Sequence, residues 1–171
     1  MGSQEELGII KHAVSHIFDA IEDSVNKQFL LRVSYMEIYN EKVTDLLAEA
    51  KDRKKILKVM DDPSGNVTID GLREVFVSST EEIFQAMAEG EKLRHIGETN
   101  MNERSSRSHT IFRIILESSD REIDEEGNEV GRATMVSHLN LVDLAGSERA
   151  AQTGATGDRF REGLFLSSTH P

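Results

Sequence analysis

Asn102-Glu103-Arg104-Ser105-Ser106-Arg107-Ser108-His109 and Asp143-Leu144-Ala145-Gly146-Ser147-Glu148 decide the reading of this 171-residue chain. Each borders an apolar run with the composition of a buried strand. The first precedes Thr110 to Leu116, and the second follows Leu139-Asn140-Leu141-Val142. Hydroxyls bunched before one strand, and an acid then a glycine after another, suit a magnesium–phosphate site. Mg2+ takes hard oxygen ligands, which serine hydroxyls and an aspartate carboxylate supply. Gly146 leaves room for a backbone N–H to approach a terminal phosphate. Arg107 and Glu148 carry opposite charges, one per loop, and can latch the loops together while that phosphate is present. This is the logic of paired nucleotide switches, ordered by a γ-phosphate and released on hydrolysis. Taken singly, each residue has a blander reading. Serine-rich loops cap helices or make turns, and exposed Arg–Glu pairs are worth little. Their joint order and spacing favour the switch reading.

At these residues the sequence resembles the kinesin motor domain, whose first switch reads N-x-x-S-S-R-S-H and whose second reads D-L-A-G-S-E. Both stand here letter for letter. The second switch of myosins resembles D-I-x-G-F-E instead, with an aromatic where this chain has Ser147. The longer run Arg94 to Asn102, together with Ser147 to Ala155, is most similar to the centromere-associated (CENP-E type) kinesins. The resemblance implies an α/β fold of the P-loop NTPase type, a mixed central sheet flanked by helices. It also implies ATP and ADP bound with Mg2+, microtubules (tubulin) as partner, and ATP-driven movement along them. The setting it implies is cytoplasmic and cytoskeletal, with the kinetochore or spindle following from the subfamily.

Site roles follow from the same resemblance, residue by residue. Ser106 would ligate the magnesium, and Asp143 would reach it through water. Ser105 would lie beside the γ-phosphate and the attacking water, Gly146 would sense that phosphate, and Asn102 would approach the phosphates. Arg107 and Glu148 would form the closing salt bridge that orients the water. For microtubule contact, Arg149 is the leading candidate and Arg73 the next. Arg159 and Arg161 read as ordinary surface charge, and Lys51-Asp52-Arg53-Lys54-Lys55 as a solvated loop.

Composition sets outer bounds. Hydrophobic residues make up 37% of the chain, enough for a globular core. The acidic, polar start at Met1 to Glu6 is no secretory signal, and no apolar run approaches membrane-spanning length. With no cysteine, disulfides and thiolate metal sites are excluded, and the six histidines lack ligand-like spacing. A net charge of −11 argues against a nucleic-acid binder, which needs a positive field. It also means that docking on an acidic filament must rest on local basic positions.

Along the chain, helices alternate with strands. Ile10, Ala13, Val14, Ile17, Phe18 and Ile21 predict an amphipathic helix over 8–23. Phe29, Leu31, Val33 and Tyr35 alternate as a mostly buried strand. Asn40 to Leu47 reads as a short helical turn. Leu57 and Val59, then Asp62-Pro63-Ser64-Gly65, then Val67 and Ile69 predict a hairpin. Ser79 with Glu82 forms a capping-box signature opening a helix towards Leu93. The last two strands, separated by the acidic segment 118–132 with Gly127 and Gly131, are expected to be antiparallel neighbours.

Phosphoryl transfer of this class uses a G-x-x-x-x-G-K-[ST] loop to cradle the β- and γ-phosphates. No such run occurs in the 171 residues. The resemblance places that loop just upstream of residues 1–10, so the expected organisation is a partial motor domain over 1–164 and a divergent tail over 165–171. Three readings stay open: part of a microtubule motor, a non-catalytic product that binds tubulin weakly or not at all, and a module that pairs with a complete motor. The third has no heptad segment to pair through.

Overall fold

Apolar residues at helical spacing give α1 (Ile9–Glu22), whose inward face is centred on Val14. The computed structural model describes residues 9–61, 67–96, 107–120 and 134–145. Among these residues seven strands follow in chain order: β1 (Lys27–Tyr39), β2 (Lys42–Asp45), β3 (Ile56–Asp61), β4 (Val67–Asp70), β5 (Val75–Val77), β6 (His109–Asp120) and β7 (Thr134–Asp143). Between β5 and β6 lies α2 (Thr80–Ile96). The sheet runs β4-β3-β2-β1-β6-β7, with β5 pairing onto β1. The expected α/β arrangement of a sheet with packed helices is present. Every pairing among the described residues is antiparallel, including the expected β6–β7 pair. The turn at 62–66 and the acidic segment 121–133 lie outside the described residues.

Residues facing each other across antiparallel strands share a sheet face. The rows Val33–Ile114–Leu139 and Tyr35–Phe112–Leu141 therefore point to one side. Both helices cover that side, with Val14, Ile83 and Ala86 packed into one cluster with Val33, Tyr35, Phe112 and Ile114. Each large apolar side chain buried there stabilises the fold by roughly 1.5–3 kcal/mol. Tyr35 and Phe112 meet edge to face at a centroid distance of 5.3 Å. A smaller cluster of Met36, Val43 and Leu57, with Ile38 and Ile111 against it, packs on the other face.

Residues 40–47 correct the sequence reading. They form a two-residue hairpin rather than a helical turn, with Tyr39 opposite Lys42 and both Asn40 and Glu41 at positive φ (48° and 61°). That is the type I′ geometry whose twist matches paired strands, and asparagine tolerates its left-handed first position. Val43 and Asp45 point inward in alternation, a pattern disguised because the second of them is charged. The buried Asp45 carboxylate accepts the N–H groups of Leu47 (2.7 Å) and Arg73 (2.8 Å). Burial pushes its carboxyl above the usual carboxylate range, although those bonds and the Arg73 charge oppose the shift.

The capping box is present. Ser79 Oγ accepts the Glu82 N–H at 3.2 Å. Its return arm falls one residue early, with Glu82 Oε2 accepting the Ser78 N–H at 2.6 Å. The Ser78 N–H and hydroxyl hold the Glu82 carboxyl below its usual range. Further along α2, Gly90 lies against β1: a Cβ added there would meet the Tyr35 ring at 2.2 Å. Alanine in a helix interior is normally favoured over glycine by about 1 kcal/mol. At this contact the sign should reverse. Gly90→Ala should destabilise the chain by about 2 kcal/mol through overpacking, measured as a lower urea midpoint. A midpoint that rises would show that α2 does not need this close approach.

Candidate nucleotide-switch site

The register of the sheet brings the described ends of the two motifs, 107–109 and 143–145, side by side. Thr110 at the start of β6 faces Asp143 at the end of β7, so the exit of the first loop and the entrance of the second share one sheet end. Glu37 of β1 faces Thr110 in turn, and the row Glu37–Thr110–Asp143 continues the helix-covered face beyond the apolar rows. The loops are also joined directly. The Ala145 N–H donates to His109 Nδ1 at 3.0 Å, which requires that nitrogen to be unprotonated.

Arg94, in the last turn of α2, reaches into this polar row. Its side chain is 6% exposed, with Nε 3.8 Å from Glu37 Oε1 and Nη1 4.0 Å from Asp143 Oδ2. Nη2 donates to Ser108 Oγ at 3.3 Å, and Glu91 lies one turn back at 3.8 Å. The Tyr35 hydroxyl donates to Glu91. Burial first, then that bond, pushes the phenol above its usual range, so Tyr35 stays a donor. A buried glutamate at the end of β1 is costly unless paired, and Arg94 supplies the partner.

Of the residues expected at the site, Asp143 and Arg107 lie within the described residues. Asp143 stands at the strand end with its carboxylate 59% exposed, and Arg107 is half-buried just before β6. Asn102, Ser105, Ser106, Gly146, Glu148 and Arg149 lie outside the described residues. Arg73 belongs to a different cluster. Its Nη1 donates to the Leu47 carbonyl at 3.0 Å and Nη2 lies 3.8 Å from Glu49. Among the described residues, no group of three or more His, Asp or Glu is placed to hold a metal. Arg94, Glu37 and the His109–Ala145 bond escaped the sequence reading. One signal was available: Glu37 continues the inward alternation of Val33 and Tyr35, and a charge at such a position calls for a buried partner.

The arrangement is a helix-covered sheet with two loop ends brought together at one end, and comparison with known proteins specifies the fold. The description "Kinesin motor domain" matches residues 1–168, and the chain belongs to that family. It is 54% identical over 167 residues to Centromere-associated protein E of Homo sapiens, covering 98% of this chain and 6% of that protein. It is 49% identical over 168 residues to Kinesin-like protein KIN-7I of Oryza sativa subsp. japonica, covering 98% of this chain and 14% of that one. A KIF14 structure with ADP in complex with a microtubule superposes with a TM-score of 0.84 at 34% identity, covering 99% of this chain and 48% of the other. A fast kinesin gives a TM-score of 0.76 at 38% identity, with 95% and 44% covered. The chain thus spans less than half the length of these relatives.

Proposed function

We propose that this chain is the switch-bearing part of a microtubule motor, in which ATP binding and hydrolysis are sensed by the loops around 102–109 and 143–148. The observation that carries the reading is the pairing of Thr110 with Asp143, clamped by the Ala145–His109 bond. It supports both motifs acting on one phosphate. Ser106, and Asp143 through water, would hold Mg2+ beside ATP or ADP. An exposed carboxylate at a strand end fits an ion that keeps much of its water and takes few protein oxygens. The ion would supply charge neutralisation at the phosphates. Ser105, Asn102 and Gly146 would then position the γ-phosphate and water, while Arg107 with Glu148 would close the loops. Cytoskeletal location would go with this role, and the kinetochore or spindle with the subfamily; likeness to Centromere-associated protein E supports that reading.

A second reading has its own observation: the 171 residues contain no G-x-x-x-x-G-K-[ST] run. On that reading residues 1–164 form a partial motor domain with a divergent tail over 165–171, inactive as an ATPase and at most a weak tubulin binder.

Microtubule contact would rest on Arg149, with Arg73 secondary because its guanidinium is already engaged by Leu47 and Glu49. In a chain of net charge −11, docking on an acidic filament would rest on a few local arginines, and salt that screens their attraction should weaken it. Co-sedimentation with microtubules tests this. Arg149→Ala should weaken binding about tenfold and Arg73→Ala by less than about threefold. Salt-independent pelleting, unaffected by Arg149→Ala, would exclude this docking surface.

A further inference from the structure

We propose that His12 and His16 form a surface chelate for a borderline divalent transition-metal ion such as Zn2+, Ni2+ or Cu2+, distinct from the Mg2+–nucleotide chemistry proposed above. Along the chain the histidines show no ligand-like spacing; the folding of α1 gives it to these two.

Helix α1 runs unbroken from Ile9 to Glu22, so His12 and His16, four residues apart, stand one turn apart on one face. At that separation the Cβ atoms of a helix are about 5–6 Å apart, within reach of two imidazoles sharing one ion. Ile10, Val14, Ile17, Phe18 and Ile21 pack into the core, which fixes the helix and leaves both histidines exposed. Asp19, three residues past His16, lies on the same side and adds negative charge there, whereas Lys11, adjacent to His12, projects elsewhere. Among the described residues no group of three His, Asp or Glu is placed to hold a metal, so two imidazoles are the share these residues supply and water completes the shell.

The donor set selects the ion. Imidazole nitrogen suits Zn2+, Ni2+ and Cu2+, while Mg2+ and Ca2+ take oxygen ligands. A pair of nitrogens should follow the general affinity order, with Cu2+ held most tightly. Closing a ring across one turn favours the helical state, so bound metal and α1 stabilise each other. The start of α1 borders the switch end of the sheet, where Ile9 and Ile10 line a pocket with Thr110 and Asp143. Bound metal should therefore stiffen the helix next to that end.

Calorimetric titration of the 171-residue chain with Zn2+, Ni2+, Cu2+ and Mg2+, each alone in mildly alkaline non-chelating buffer, tests the site. One Zn2+, Ni2+ or Cu2+ should bind per chain, Cu2+ most tightly, and excess Mg2+ should not displace it. His12→Gln and His16→Gln should each weaken binding at least about tenfold, and the double variant little further, because chelation needs both rings. These substitutions sit on an exposed helix face and keep a good helix former, so the fold is retained. At a metal concentration about 100 times its Kd, the folded-to-unfolded ratio in urea should rise about a hundredfold in the wild type and stay unchanged in the double variant. Wild-type affinity in either single variant would overturn the proposal, as would equal affinity for the urea-unfolded chain, where no helix presents the pair. The site shares no residue with the proposed switches, so its failure and theirs are separately visible.

Discussion

Incubated with ATP and microtubules, the purified 171-residue chain should release no phosphate above the buffer rate. Serine hydroxyls, a carboxylate and a glycine can position metal and water, but catalysis here depends on holding the triphosphate in line with them. The sequence supplies no G-x-x-x-x-G-K-[ST] loop to do so. Joined in frame behind a segment carrying that loop, the chain should hydrolyse ATP, and faster with microtubules. If Ser106 holds Mg2+ as proposed, Ser106→Ala should then lower turnover by about a hundredfold or more, since the phosphates would lose their metal clamp. Phosphate release by the unextended chain that Ser106→Ala abolishes would show that the triphosphate is held some other way.

The second large effect concerns Arg107 and Glu148. In the same extended chain, Arg107→Ala or Glu148→Ala should each cut hydrolysis by about 10²–10³-fold, while nucleotide affinity changes by less than about tenfold. A charge-assisted, bidentate pair becomes favourable only when both loops close on the γ-phosphate, so its loss depopulates the closed state rather than the bound one. Single-turnover rates and nucleotide titration separate these quantities. Comparable losses in affinity and rate would instead place the pair in ground-state binding.

Much of this fold was legible because local pattern and tertiary role agree. The 3.6-residue spacing of α1, the alternation of β1 and the Ser79–Glu82 cap each reappear, the cap with its return arm moved to Ser78. The hairpin at Tyr39–Lys42 was not legible, because its inward position is the charged Asp45 and its turn places Glu41 at a φ that side chain seldom adopts. β5 escaped too, since three residues carry no period of their own. Of the residues singled out in the two motifs, Asp143 and Arg107 lie within the described residues, and the structure adds that Thr110 and Asp143 are cross-strand partners. Arg94 was invisible as a hub. Its partners Glu37, Ser108 and Asp143 lie far apart in the chain, and only the register of β1, β6 and β7 collects them beneath α2.

In the proposed function the two loops act as one switch around one phosphate. A double-mutant cycle on Arg107 and Glu148, read as ATP turnover of the extended chain, tests it most directly. A coupled latch predicts that Arg107→Ala with Glu148→Ala is little slower than either single variant, because the first substitution already removes what the second would. Losses that multiply in the double variant would contradict it, leaving two residues that act independently at separate places.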